Sequence, residues 1–129
     1  MPLIMVDIVK GRTAAEVGSL LDAVHDAVLG AFGVPAQDRY QIVTEHEPQH
    51  LVVQDTGLGI ERSEAVILVR VLTRPRSREA KAGFYRLLTE RLETRCGISP
   101  SDVVIALSVN DDEDWSFGFG RAQFLTGEL

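Results

Sequence analysis

Hydrophobic and polar residues follow two alternating patterns along this chain, one typical of buried strands and one typical of amphipathic helices. Residues Leu3–Val9 form an apolar run that only Asp7 interrupts, which predicts a strand buried on both faces. Apolar residues then recur at helical spacing over residues 17–32, and Arg39–Thr44 predicts a second strand. The first third of the chain is therefore predicted to form a β-α-β unit.

The second half repeats this order of elements. Val66–Leu72 predicts a buried strand, residues 84–92 carry a helical apolar face, and Val103–Val109 predicts the closing strand. Single residues also correspond at a constant offset: Gly33, Val34 and Asp38 in the first half match Gly97, Ile98 and Asp102 in the second. We predict a single domain over residues 1–129, with β-α-β repeats at about 2–46 and 64–110 and an aromatic tail at 111–129.

Local signals mark the ends of both helices. Thr13 and Glu16 have the spacing of a capping box at the start of the first helix, and Gly33 suits its end. Ser77 is the expected N-cap of the second helix, and Gly97 is expected to end it.

Two such units predict an α/β (α+β) fold with a four-stranded mixed sheet and both helices on one face, since each crossover is right-handed. Strands this apolar on both sides need a cover on the other face, which predicts sheet-on-sheet packing in a closed homo-oligomer. The bridging stretch Leu51–Ser63 is expected to form a loop or a short strand at the subunit boundary. A monomeric ferredoxin-like domain is the competing fold, but it would need a polar outer face.

Composition and charge exclude several classes of function. The chain has 129 residues, is 45% hydrophobic and carries a net charge of −6, which argues against a nucleic-acid binder. Cys96 is the single cysteine, so neither an intrachain disulfide nor a Cys-rich metal site is expected. No apolar run approaches membrane-spanning length, and no signal peptide is recognisable. We expect a cytoplasmic protein without metal.

Pro2, directly behind Met1, is the first candidate for chemistry. Removal of Met1 would leave a free prolyl amine, which acts as a base or iminium-forming nucleophile when neutral and as a cationic acid when protonated. A Met-Pro start also occurs without chemical meaning, and the residue alone does not separate these interpretations.

A pair of arginines around a proline, Arg74 and Arg76, precedes the second helix. Guanidinium groups beside a helix N-terminus favour an anion such as a substrate carboxylate, although a solvated basic turn has the same composition. We expect the first strand to run parallel beside the strand that leads into this turn. Asp38 is a candidate partner for the amine, but its repeat counterpart Asp102 suggests a turn residue equally well.

The C-terminal tail contains the only tryptophan and three of the five phenylalanines. We expect it to dock on a neighbouring subunit and to form the wall of an apolar pocket. The acidic run at residues 111–114, which precedes the tail's aromatic residues, is expected to be a solvated turn.

Several of these features together resemble the tautomerase superfamily and, within it, the malonate semialdehyde decarboxylase family. The resemblance spans almost the whole chain and rests on the Pro2 start and on the motifs Asp38-Arg39-Tyr40-Gln41, Gln54-Asp55-Thr56-Gly57-Leu58-Gly59, Arg74-Pro75-Arg76-Ser77, Asp114-Trp115-Ser116-Phe117-Gly118 and Phe124-Leu125-Thr126-Gly127. Of these motifs, the Arg-Pro-Arg turn and the Trp-Ser-Phe-Gly tail are specific, whereas a proline start is common to the superfamily.

The resemblance implies roles for individual residues. Pro2 would be the catalytic amine and Asp38 its acidic partner, while Arg74 and Arg76 would handle a substrate carboxylate. The apolar substrate-binding wall would consist of Trp115, Phe117, Phe124 and Leu129. A homotrimer without cofactor or metal is implied as well.

The implied reaction is the decarboxylation of malonate semialdehyde, or of a close 3-oxo acid, to acetaldehyde and carbon dioxide, with a possible hydratase side activity. The alternative enzyme class is a keto-enol tautomerase or a cis-3-haloacrylate-type hydratase or dehalogenase. A further acidic residue that would activate water for dehalogenation has no clear counterpart apart from Asp38 or Glu128. The non-enzymatic alternative is a structural or signalling oligomer with an incidental proline.

Overall fold

The computed structural model describes residues Met1–Leu129 and consists of two β-α-β units followed by a short tail. The first unit contains β1 (Pro2–Val9), α1 (Ala14–Phe32) and β2 (Tyr40–His46). The second contains β3 (Ile67–Thr73), α2 (Arg78–Cys96) and β4 (Val103–Val109), and α3 (Gln123–Thr126) lies in the tail. The internal repeat predicted from the sequence is thus confirmed, with strand ends moved by one or two residues.

Capping interactions define the ends of both long helices. The Thr13 hydroxyl accepts a hydrogen bond from the Glu16 amide at 3.1 Å, and the Glu16 carboxylate accepts one from the Thr13 amide at 2.9 Å. Gly33 and Gly97 follow the two helices with φ of 63° and 66°, a left-handed conformation that costs glycine little. These ends were predicted because capping depends on residues only a few positions apart.

The strands are ordered β2-β1-β3-β4, with parallel pairs inside each unit and an antiparallel pair, β1 with β3, between the units. The expectation that the first strand runs parallel to β3 is therefore wrong. Equivalent strands of two repeats meet at the centre of the sheet, and a two-fold axis perpendicular to the sheet makes such strands antiparallel. The same axis keeps both helices on one face.

One face of the sheet and the two helices enclose a single hydrophobic core. Alternate residues of β1 and β3 point into it, and α1 and α2 pack on them and on each other. Its largest side chains are fully buried: Phe84, Ile8, Leu20, Ile67, Leu88 and Leu92. The core therefore uses the helical face of the sheet, whereas Leu3, Met5 and Leu68 on the opposite face stay partly exposed.

The opposite face combines apolar residues with a charged cluster. Ile42 is 51% exposed on this face of β2, next to Tyr40 at 43%. Asp7, only 8% exposed, accepts hydrogen bonds from His46 Nε2 at 2.7 Å and from Arg70 Nη2 at 3.0 Å. These partners explain how an aspartate is accommodated in an otherwise apolar strand.

The bridging stretch Leu51–Ser63 forms a loop and contains no strand. Asp55 organises its turn, because its carboxylate accepts hydrogen bonds from the amides of Gly57 at 3.1 Å and Gly59 at 2.9 Å. Neither long helix has the length and hydrophobicity that a bilayer crossing requires.

Candidate active site

The antiparallel pairing of β1 and β3 brings the amino terminus next to the Arg-Pro-Arg turn. Pro2 pairs with Thr73, the last residue of β3, so Arg74 and Arg76 follow directly beside the chain start. In a parallel arrangement these groups would have lain at opposite ends of the sheet. The antiparallel direction of β1 and β3 is therefore what brings the chain start and the two arginines together.

A cavity of about 590 Å³ lies at this end of the sheet. The candidate residues Asp38, Arg74 and Arg76 all line it. The remaining lining comes from the chain start, the end of α1, the loop before β2, the first residue of β2 and the tail, and it comprises Met1, Phe32, Gly33, Val34, Pro35, Gln37, Tyr40, Phe117, Gln123, Phe124, Glu128 and Leu129.

The terminal amine of Met1 lies in this cavity, 3.3 Å from Asp38 Oδ2. Burial lowers the pKa of this amine; the ion pair with Asp38 raises it in part, and the positive charges of Arg76 and Arg74 lower it further. While Met1 is present, the Pro2 nitrogen is a tertiary amide without basicity. Pro2 itself is buried at the start of β1 and does not line the cavity, whereas Met1, which precedes it, does.

Arg76 retains an unused donor. Its Nε donates to Thr73 Oγ1 at 3.1 Å and its guanidinium lies 4.8 Å from the centre of the Phe32 ring, while the buried Nη2 has no hydrogen-bond partner. Burial and the neighbouring charge of Arg74 lower the pKa of this guanidinium. A buried N–H without an acceptor is costly, so this partly buried guanidinium is well suited to bind a carboxylate.

Arg74 is held differently, because it already has a carboxylate partner. Its Nε and Nη2 donate to the two carboxylate oxygens of Asp112 at 2.6 and 3.0 Å, and its guanidinium lies 4.1 Å from the centre of the Phe124 ring. The prediction that the acidic run is simply a solvated turn is therefore wrong for Asp112. The spacing of the two residues, on separate turns far apart in the chain, gave no signal of this pair.

The aromatic wall of the cavity is built by the chain's own tail, and docking of the tail on a neighbouring subunit stays a prediction. Phe117 lies 6.0 Å from the Tyr40 ring and packs edge-on against Phe124 at 5.3 Å. Leu129 completes this side of the cavity. Trp115 does not line the cavity of the single chain but stacks on Phe117 at 5.7 Å, and its role in binding substrate stays a prediction.

Several residues of the site were not predicted. Gln123, 9% exposed, accepts a hydrogen bond from the Phe117 amide at 3.0 Å and donates to the Gly118 carbonyl at 3.0 Å, which holds the tail in its bend. Tyr40 and Gln37 line the cavity close to Asp38. Only Tyr40 had a signal in the sequence, as a member of the motif that begins at Asp38.

No group of His, Cys, Asp and Glu side chains in the structure has the arrangement of a metal site. The chemistry available in the cavity is that of an amine, carboxylates and guanidinium groups in an aromatic setting. These groups, at the end of a tandem β-α-β sheet, are able to bind an anion and to carry out acid–base or covalent amine chemistry.

Comparison with known proteins identifies the family. Two family models, both described as tautomerase enzyme, match residues 38–118 and residues 2–60. The probable tautomerase YrdN of Bacillus subtilis (strain 168) is 49% identical, with 100% of both chains covered. The chain therefore belongs to the tautomerase superfamily and, within it, to the malonate semialdehyde decarboxylase family, as the solved structures similar to it show.

Two crystal structures of malonate semialdehyde decarboxylases match this chain. One is 59% identical with a TM-score of 0.97 over 98% of both chains, and that protein is described as having decarboxylase and hydratase activities. The second, inhibited by 3-bromopropiolate, is 42% identical with a TM-score of 0.95 over 98% of this chain and 97% of its own. A fused 4-OT, described as a symmetric trimer, is 26% identical with a TM-score of 0.79 over 97% of this chain and 98% of its own.

Proposed function

We propose that this protein is a cofactor-independent decarboxylase that converts malonate semialdehyde, or a close 3-oxo acid, to acetaldehyde and carbon dioxide. The observation that carries the proposal is the buried, unpartnered N–H of Arg76 in the cavity that contains the chain's terminal amine. The similarity to decarboxylases at 59% and 42% identity supports the choice of reaction.

The arginines orient the substrate carboxylate in this proposal. Arg76 offers its free Nη2 and Arg74 the donors that Asp112 leaves unused. A carboxylate that leaves as neutral carbon dioxide loses its charge in the transition state, so tight ground-state binding would oppose the reaction. We therefore assign the arginines the task of turning the breaking bond perpendicular to the carbonyl plane, with Phe117 and Phe124 limiting its hydration.

After Met1 has been removed, the Pro2 amine stabilises the negative charge that develops on the substrate carbonyl. As the carbon–carbon bond breaks, its electron pair moves into the adjacent carbonyl and forms an enolate, which then takes up a proton at carbon to give acetaldehyde. A protonated Pro2 stabilises the enolate by charge and hydrogen bonding, and Asp38 stabilises that cation. A neutral Pro2 would reach the same product through an iminium ion that hydrolyses afterwards. The cation combined with a water held by Asp38 would also support a hydratase side activity.

Keto-enol tautomerisation is the second candidate, because it requires a neutral amine as its base. The burial that lowers the pKa of the terminal amine in this cavity favours that form, and Arg76 acts in the same direction. The name of the relative YrdN, a probable tautomerase, agrees with this candidate. A dehalogenase or a non-enzymatic role has no comparable support in the site.

We propose a homotrimer as the working assembly. The face of the sheet opposite the helices exposes Ile42 and Tyr40, and the structurally similar fused 4-OT is described as a symmetric trimer. Packing of this face on other copies would remove the exposed apolar area from water. The single-domain organisation and the cytoplasmic location stay predictions.

The test is an assay of Met1-processed protein with malonate semialdehyde and, separately, with phenylenolpyruvate. We expect turnover of the semialdehyde to acetaldehyde, and covalent modification of Pro2 by 3-bromopropiolate, located by mass spectrometry. Borohydride added during turnover distinguishes the two mechanisms, since only an iminium is trapped on Pro2. Absence of semialdehyde turnover would refute the proposal, and turnover of phenylenolpyruvate instead would favour the tautomerase.

A variant pair links the activity to the unpartnered guanidinium. Arg76→Gln is expected to lower kcat/KM for malonate semialdehyde by about a hundredfold, since loss of one pre-positioned donor typically has this effect. Arg78→Gln is the control, because Arg78 is exposed in the first turn of α2 and does not line the cavity. Its substitution removes the same positive charge as Arg76→Gln does. Equal activities of the two variants would contradict the role assigned to Arg76.

A further inference from the structure

We propose that Asp112 determines specificity in this cavity: by holding Arg74 in an ion pair, it leaves positive charge for only one carboxylate, so that the protein selects monocarboxylates over dicarboxylates. The inference rests on the proposed function, in that it takes a small carboxylate as the ligand. Asp112 does not line the cavity itself and acts through Arg74.

The contacts of Arg74 show how this selection would work. Asp112 occupies the edge of the guanidinium formed by Nε and Nη2, with distances of 2.6 and 3.0 Å, and the Phe124 ring covers one of its faces at 4.1 Å. A second carboxylate would have to compete with Asp112 for this edge. The remaining donors of Arg74 can still share one carboxylate with Arg76.

Arg76 contrasts with Arg74 because no carboxylate lies within ion-pair distance of it. Its polar contacts go to the Thr73 hydroxyl and the Phe32 carbonyl, and its Nη2 is buried without a partner. The structure therefore contains one arginine that is already neutralised and one that awaits an anion.

The charges of the site lead to the same conclusion. Its cations are Arg74, Arg76 and, when protonated, the terminal amine; Asp38 and Asp112 oppose them. The sum is at most one positive charge. Glu128, a further carboxylate on the cavity wall, is paired with an arginine of the tail. A dicarboxylate would therefore bring an uncompensated negative charge into a partly buried aromatic site, which is unfavourable.

The test compares the binding of a monoanion and a dianion of similar size. NMR titrations of Met1-processed protein with propionate and with malonate give the two Kd values for the wild type and for Asp112→Asn. Freeing Arg74 should raise the affinity for malonate about tenfold more than the affinity for propionate, since only malonate has a second carboxylate for the freed edge.

Three further variants make the outcome decisive. Glu113→Gln removes the same charge one residue away from Asp112 and should leave the ratio of the two Kd values unchanged. Asp112→Glu retains the charge and should preserve the wild-type preference for propionate. Asp112→Ser replaces Asp112→Asn if circular dichroism shows that the latter does not fold. If Asp112 only supported the fold, Asp112→Asn would weaken the binding of propionate and of malonate by the same factor.

The inference would be overturned if Asp112→Asn left the ratio of the malonate and propionate Kd values unchanged. It would also be overturned if Glu113→Gln changed this ratio as much as Asp112→Asn does. The titrations involve no turnover, so they give their answer whether or not malonate semialdehyde is decarboxylated. A failed activity assay with an altered Kd ratio would refute the proposed reaction and leave the role of Asp112 supported. An active enzyme with an unaltered ratio would do the reverse.

Discussion

The side chains of the cavity differ mainly in how completely their charges are paired. Arg74 has a bidentate carboxylate partner, whereas Arg76, two residues further along, ends in a buried N–H without one. The terminal amine lies between these extremes, with Asp38 at 3.3 Å and two guanidinium groups nearby. Since like charges and burial disfavour the cation while Asp38 favours it, single substitutions should shift the protonation of the amine in opposite directions.

We expect Asp38→Asn to lower the pKa of the Pro2 amine in Met1-processed protein and Arg76→Gln to raise it. Loss of the carboxylate removes the charge that stabilises the cation, so the amine stays neutral down to a lower pH. Loss of the guanidinium removes a repelling charge and extends the cation to a higher pH. NMR titration of protein labelled with ¹⁵N-proline measures both shifts.

The activities should follow these pKa shifts. Decarboxylation through a protonated amine would lose its activity at a lower pH in Asp38→Asn, whereas tautomerisation through a neutral amine would extend to a lower pH. Asp22→Asn serves as the control, because Asp22 is a largely exposed aspartate outside the cavity. Shifts of the same sign for Asp38→Asn and Arg76→Gln would contradict the charge arrangement described for this site.

Among the elements, α2 is the helix whose capped N-terminus lies directly beside the site. It begins immediately after the arginine turn, and its N-cap Ser77 accepts a hydrogen bond from the Ala80 amide at 3.0 Å. The caps of both helices and the periodicity of their apolar faces were readable from the sequence, because they depend on neighbours within one or two turns. The tail was not readable in this way, because its bend depends on Gln123 binding the backbone at Phe117 and Gly118.

Ser77→Ala should lower the free energy of unfolding by about 1 kcal/mol, since the substitution leaves the Ala80 amide without its side-chain acceptor. Urea denaturation measures the effect. The protein concentration is kept fixed, because the stability of a chain that is proposed to assemble depends on concentration. Ser19→Ala provides the matched control. Ser19 is exposed in the interior of α1, where alanine is the better helix former, so we expect no loss of stability there. Equal losses in both variants would argue against a capping role.

For the whole molecule, the arrangement of the two units decides both the site and the uncovered face. A perpendicular two-fold axis makes β1 and β3 antiparallel, brings Pro2 opposite Thr73 and places both helices on the same side. The opposite face then keeps exposed apolar residues beside the cluster of Asp7, His46 and Arg70. A closed assembly of copies packed through this face accounts for its composition.

Ile42→Glu is expected to convert the proposed trimer to monomers, because a carboxylate would be buried where an isoleucine, 51% exposed in the single chain, meets another copy. Light scattering coupled to size-exclusion chromatography measures the mass. Tyr85→Glu is the control, since Tyr85 is 40% exposed on α2, in the helical layer on the other side of the sheet. A monomeric wild type, or an unchanged mass for Ile42→Glu, would refute the trimer packed through this face.

The sequence by itself determined the kinds of element, their ends, the repeat, and the residue types able to do chemistry at Pro2, Asp38, Arg74 and Arg76. Periodicity and capping are properties of short segments, and the resemblance rests on motifs that are each a few residues long. Only the tertiary structure decided the direction of β1 against β3 and the packing of the tail on its own chain. The ion pair of Arg74 with Asp112 was likewise decided only by the tertiary structure. Such features depend on how distant segments meet, and no local pattern of hydrophobic and polar residues encodes that geometry.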